Sequence, residues 1–174
     1  LPISDAVGNM VVDIGGGTTD IAVISLGGIV VSRNLRIAGE KMNDDIIQYV
    51  RDEFQLLIGE KTAEKIKISI GSVSPLKEKL TASIKGRDLV SGLPKEVIIS
   101  DSEITEAVAP SVNVIISEIR SVVEETPPEL ISDLMTRGII LAGGGSLLRG
   151  FPEMVEKTTG IPTRLVEDPL TAVV

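Results

Sequence analysis

The run Asp13-Ile14-Gly15-Gly16-Gly17-Thr18-Thr19-Asp20 brings an acid, three consecutive glycines, two hydroxyls and a second acid into one short stretch. Glycine amides have no Cβ to block an approaching anion, so such a run can offer several N–H groups to phosphate oxygens. The threonine hydroxyls add donors. A carboxylate at the end of the incoming strand suits the metal ion that accompanies a phosphate. A plain hairpin with a glycine-rich turn is the alternative, but a tight hairpin needs neither three glycines nor two threonines.

A second cluster echoes the first. Gly138-Ile139-Ile140-Leu141-Ala142 reads as a buried strand and runs into Gly143-Gly144-Gly145-Ser146. Glycines at the ends of central strands let a ligand lie across a sheet, and they equally serve tight strand-to-helix packing. Two such clusters in one chain favour a nucleotide held between them.

The elements that must position these residues follow from hydrophobic periodicity. Apolar, β-branched runs predict antiparallel strands over 10–14, 20–26 and 29–37, with Gly27-Gly28 as a hairpin turn. In the third strand Val31, Leu35 and Ile37 share a face on which Arg33 is the exception. A helix is predicted over 41–58, with Met42, Ile46, Val50, Phe54 and Leu57 as its buried stripe and Gly59 beyond its end. A shorter helix over 63–70 has Thr62 as N-cap and Gly71 as its stop. Short strands are expected over 80–85 and 96–100. The longest helix spans 102–125, with Pro110 expected to kink or interrupt it, and Pro128 opens a further helix to 135. A helix over 151–159 and a strand over 163–166 complete the pattern. The stretch 40–100 breaks the rhythm and reads as an insertion into a flanking unit. Lys77-Glu78-Lys79 reads as a solvated loop, and Asp44-Asp45 as acids serving a helix N-terminus.

Composition narrows the chemistry. The 174 residues contain no histidine and no cysteine, which removes zinc sites, thiol nucleophiles, disulfides and His-based triads. Aromatics are 2% of residues, so the core must be built from Ile, Val and Leu, as in a sheet covered by helices. A net charge of −8 without any basic run argues against nucleic-acid binding. No apolar stretch has the length of a membrane span and none has the pattern of a signal peptide. The absence of cysteine fits the cytosol. The chain opens on Leu1 and closes at 170–174 in a helix-like stretch, so a piece of a longer protein is expected.

With these residues in view, the chain resembles the actin-like ATPase superfamily, and within it the bacterial rod-shape MreB family. Gly8-Asn9-Met10-Val11-Val12-Asp13-Ile14-Gly15-Gly16-Gly17-Thr18-Thr19 is similar to the superfamily's second phosphate loop, and Ile37-Ala38-Gly39-Glu40 follows where the family has it. Thr126-Pro127-Pro128-Glu129-Leu130 and the run from Ala142 to Gly150 resemble MreB rather than actin or chaperone ATPases. The resemblance covers essentially the whole chain. Position 20 departs from the pattern, being Asp where the family more often has Glu.

The resemblance implies an α/β fold: the second domain of a two-domain ATPase, with nucleotide in the cleft between domains. A ribonuclease-H-like core would comprise 1–39 and 101–174, and a small inserted α+β subdomain, 40–100, would contact the nucleoside. The other half would carry the first phosphate loop, the residue positioning the attacking water, and the membrane-contacting loop. The isolated domain is therefore expected to be inactive. Cofactors implied are ATP or ADP with Mg²⁺. Gly15, Gly16, Gly17 and Thr18 would hold the β- and γ-phosphates, and Asp13 a water of the Mg²⁺. Glu64 and Lys67, three apart on one helix face, would touch ribose and adenine; without the resemblance they read as a surface ion pair. Gly143, Gly144, Gly145 and Ser146 would pack on the adenosine from the other side. The function implied is a cytoskeletal protein that self-associates into filaments at the inner face of the cell membrane. There it would direct rod shape and wall synthesis together with cell-shape and wall-synthesis membrane proteins. The alternative is an actin-fold chaperone, kinase, or division or pilus ATPase. A Rossmann-type dinucleotide site fails because its glycine turn opens a helix, whereas 20–26 is strand-like.

Overall fold

The structure is a computed structural model and describes residues 7–169; the helix-like stretch expected at 170–174 lies outside the described residues. In chain order the elements are β1 (Asn9–Ile14), β2 (Thr19–Ser25), β3 (Gly28–Leu35), α1 (Gly39–Phe54), β4 (Leu56–Leu57), α2 (Glu60–Ile70), β5 (Thr81–Asp88) and β6 (Pro94–Ser100). They continue with α3 (Asp101–Glu125), α4 (Pro128–Arg137), β7 (Ile139–Ala142), α5 (Phe151–Thr159) and β8 (Thr163–Leu165). A 3-10 turn over Gly144–Leu147 separates β7 from α5. The chain divides into two compact units. One comprises residues through Gly39, then Asn113–Leu147 and the stretch from Phe151 onward; the other comprises Glu40–Val112 and Leu148–Gly150. The return lies inside α3, later than the 100/101 boundary expected from sequence.

The first unit is built on a five-stranded sheet of order β3-β2-β1-β7-β8. β1, β2 and β3 form an antiparallel meander, while β7 pairs parallel to β1, and β8 parallel to β7. Met10, Val12 and Ile14 alternate along β1 with no exposed surface, as a central strand requires. Ile115, Ile119 and Val122 of α3 and Phe151 of α5 are equally buried. Arg33, the exception on its strand face, is ion-paired: its Nε lies 3.8 Å from Glu118 and its guanidinium bonds Glu125, both on α3.

The second unit pairs β4, β5 and β6 antiparallel. Its core takes Met42, Ile46 and Val50 from α1, Ile66 and Ile70 from α2, and Ile104 and Val108 from α3. Here α1 is shorter than the periodicity predicts. Gln55 turns to φ 52°, which ends the helix at Phe54 and turns Leu56-Leu57 into a strand. Leu56 is then fully buried and Leu57 is exposed, the reverse of a continued helix. Gly59 serves as N-cap of α2 instead of following α1, so Thr62 lies inside that helix. Helix α3 runs unbroken through Pro110, where Pro110 and Glu106, whose carbonyl loses its partner, are both exposed to water. Among the described residues no helix is long and apolar enough to cross a membrane.

The β2–β3 turn is Leu26-Gly27, one residue earlier than predicted, because Ser25 pairs with Gly28. Both turn residues have positive φ, 52° and 72°, as in a type I′ turn. Leu26 is poorly suited to that backbone. Leu26→Asn is expected to stabilise the protein by about 0.5–1 kcal/mol, because the left-handed region is disfavoured for branched side chains and tolerated by Asn; a thermal melt measures it.

Candidate functional site

The glycine loop is the tip of the β1–β2 hairpin. Ile14 and Thr19 form the last strand pair, and Gly15 N–H donates to Thr18 O at 2.9 Å. The Gly15 amide thereby closes the hairpin. Gly16, Gly17 and Thr18 are exposed, and among the described residues no hydrogen bond engages the Gly16 or Gly17 N–H. Thr18 Oγ1 donates to Asp20 Oδ2 at 3.3 Å. Strand alternation turns the next hydroxyl inward: Thr19 is fully buried and its Oγ1 donates to Ile37 O at 2.7 Å. Gly39 N–H donates to Gly15 O at 3.1 Å. The base of the loop is thus tied to residues 37–39 while its tip stays open.

Asp13 and Asp20 are direct partners across β1 and β2, and Asn34 faces Asp20 from β3. Asn34 Nδ2 donates to Asp20 Oδ1 at 2.6 Å. Asp13 has no comparable donor among the described residues. Burial, and then the charge of Asp20, raise its pKa above the ordinary carboxylate value. A half-buried acid lacking a donor and facing a second acid is a place for a cation. Magnesium keeps most of its water and needs only one or two carboxylates, so these residues fit its outer shell. Among the described residues no cluster of three or more His, Cys, Asp or Glu is placed to hold a metal by itself.

The second glycine cluster abuts the end of β1. A Cβ on Gly143, at φ 79°, would run into Ile14 O and Asp13 Oδ1; one on Gly145 would run into Ile14 Cγ2. Ser146 is fully buried and its Oγ donates to Gly143 O at 2.7 Å. Packing therefore accounts for Gly143, Gly145 and Ser146, which face the protein interior. Of these four expected adenosine contacts, only Gly144 is exposed.

Glu64 and Lys67 lie in the other unit, on α2. Their pair is half solvated: the Lys67 side chain is 9% exposed and that of Glu64 47%, and Lys67 Nζ lies 3.4 Å from Glu64 Oε2. Asn43 of α1 donates to the same oxygen at 2.5 Å. The Asn43 bond, ahead of the Lys67 charge, lowers the Glu64 pKa. Sequence reasoning singled out Thr19 and Gly39 but not the partners folding gives them, Ile37 O and Gly15 O, and it missed Asn34 and Asn43. Asn43 had a signal: a polar residue adjoining the Met42–Ile46–Val50 stripe of a buried helix face.

The MreB/Mbl protein family profile matches residues 1–174. The chain belongs to the MreB/Mbl family. It is 48% identical over 166 residues to cell shape-determining protein Mbl of Bacillus subtilis (strain 168), covering 95% of this chain and 50% of that protein. It is 47% identical over 173 residues to cell shape-determining protein MreB of Escherichia coli (strain K12), covering 99% and 50%. The chain thus spans about half the length of the curated relatives it matches. The solved structure of MreB5 of Spiroplasma citri bound to AMPPNP aligns with a TM-score of 0.94 at 42% identity, covering 99% of this chain and 52% of that one. The MamK double helical filament aligns with a TM-score of 0.73 at 26% identity, covering 94% and 50%. The fold of this MreB/Mbl chain is the α/β actin-like fold.

Two stability effects follow. Because the folded-state pKa of Asp13 is raised, its ionised form is disfavoured in the fold. Asp13→Asn should therefore raise the melting temperature near pH 7, with the gain shrinking as pH falls through the folded pKa towards about pH 4. Gly145→Ala should cost about 1–3 kcal/mol from overpacking against Ile14, read by denaturant titration.

Proposed function

We propose that this chain is the nucleotide-holding half of a full-length MreB/Mbl-family ATPase. In this reading the protein binds ATP or ADP with Mg²⁺ and self-associates into filaments at the inner face of the cell membrane. There it directs rod shape and wall synthesis with cell-shape and wall-synthesis membrane proteins. The observation that carries the proposal is the hairpin tip at Gly16-Gly17, with uncommitted amides next to the donor-poor carboxylate of Asp13. Support comes from MreB5 of Spiroplasma citri, whose solved structures contain AMPPNP or ADP. The MamK filament supports assembly.

In this proposal the Gly16 and Gly17 amides and the Thr18 hydroxyl donate to the β- and γ-phosphates, and Gly15 shapes the turn. Asp13 accepts from a water of the Mg²⁺, which neutralises phosphate charge when bound. Glu64 and Lys67 are proposed as nucleoside contacts, with Gly144 as a further one. The loop amides act as preorganised dipoles, because Thr19 and Gly39 fix its base before any ligand arrives.

The test is sedimentation of the full-length protein on lipid vesicles with Mg-ATP, ADP or no nucleotide, followed by electron microscopy of the pellet. Filaments in the Mg-ATP pellet are expected. ATP turnover without polymer under every condition would remove the cytoskeletal reading. Asp13→Ala in the full-length protein should lower Mg-dependent turnover by about 10–100-fold, the range for losing an outer-shell metal partner. Unchanged turnover would take Asp13 out of the metal role.

A further inference from the structure

Asn43 lies in α1 beside Met42 and is 1% exposed. Its Nδ2 donates to Glu64 Oε2, the oxygen that Lys67 Nζ also reaches. A carboxylate can only accept, so the amide must face it with nitrogen. That orientation leaves Asn43 Oδ1 as the one buried side-chain polar atom without a hydrogen-bond partner among the described residues. A buried carbonyl without a donor carries a desolvation penalty that a leucine of similar size would avoid. The penalty is explained by what the other end of the side chain does.

That other end splits the Glu64 carboxylate into two unlike oxygens. Both protein partners fall on Oε2, while the Glu64 side chain is 47% exposed. Oε1 is left as an acceptor on a carboxylate whose orientation is held, with the Lys67 ammonium beside it. An acceptor next to a donor matches a vicinal diol, whose hydroxyls both donate and accept.

We propose that Asn43 is the positioning residue of a ribose subsite, anchoring one oxygen of Glu64 so that the other accepts from the 2′,3′-diol of a ribonucleotide. The proposal rests on the nucleoside role given above to Glu64 and Lys67. It assigns to Asn43 the discrimination between ribo- and deoxyribonucleotides.

The experiment is calorimetric titration of the full-length protein with ADP and with 2′-deoxy-ADP, for the wild type, Asn43→Leu and Glu64→Ala. Thermal melts of each variant run alongside, and Asn43→Ala serves as a second, smaller replacement. The wild type should prefer ADP by about tenfold, the worth of one hydrogen bond to a charged group. Asn43→Leu should shrink that preference to about threefold or less while its melting temperature stays level or rises, since it removes the orphaned oxygen. The pH dependence adds a reading that a purely structural role would not move. In the wild type the preference should persist below the ordinary glutamate range, because Asn43 holds the Glu64 pKa down. In Asn43→Leu the midpoint should move up towards the ordinary value. Full preference retained in both Asn43 variants, with Glu64→Ala weakening ADP, overturns the positioning role alone. ADP affinity unchanged in Glu64→Ala overturns the nucleoside reading beneath it as well.

Discussion

The carboxyl end of β1 is where three segments of this MreB/Mbl chain come into close contact, and the candidate site depends on that approach. Parallel pairing sets Asp13 opposite Ala142 and delivers the turn after β7 onto Ile14. There is no room for a side chain at Gly143 or Gly145. On the other side Thr19 binds the Ile37 carbonyl and Gly39 binds the Gly15 carbonyl. The hairpin is held at its root from both directions, and among the described residues no hydrogen bond engages the Gly16 or Gly17 amide at its exposed tip.

The two acids of greatest interest sit in opposite electrostatic conditions. Asp13 is raised by burial and by Asp20, with no donor among the described residues to compensate it. Glu64 is lowered, chiefly by the Asn43 amide. The first lacks a hydrogen-bond donor among the described residues, while the second is held by one. Neither distinction follows from the residue type; each follows from what stands within hydrogen-bond reach.

Helix α3 illustrates how far pattern alone carries. Its stripe Ile104, Val108, Val112, Ile115, Ile119 and Val122 is buried as the periodicity requires. Yet it contributes its first half to one unit and its second to the other, a division no periodicity encodes. At α1 the periodicity misleads. Phe54 and Leu57 continue the helical spacing, but Leu56 pairing with Asp88 overrides it, and Gln55 takes a left-handed turn to allow that. A strand of two residues is invisible until its partner is in place.

By itself the sequence determined the α/β pattern, the meander and the two glycine turns. These rest on local causes: alternation within a strand, periodicity within a helix, and the absence of a Cβ. Tertiary structure alone decided which glycines serve packing and which remain open. Gly143 and Gly145 yield to Ile14, while Gly16 and Gly17 meet nothing within the described hydrogen-bond network. It also decided that Thr19 turns inward onto Ile37 and that Asn43 lies against Glu64. Those assignments depend on contacts between residues far apart in the chain, and a residue's spacing along the chain carries no information about the neighbour that folding brings to it.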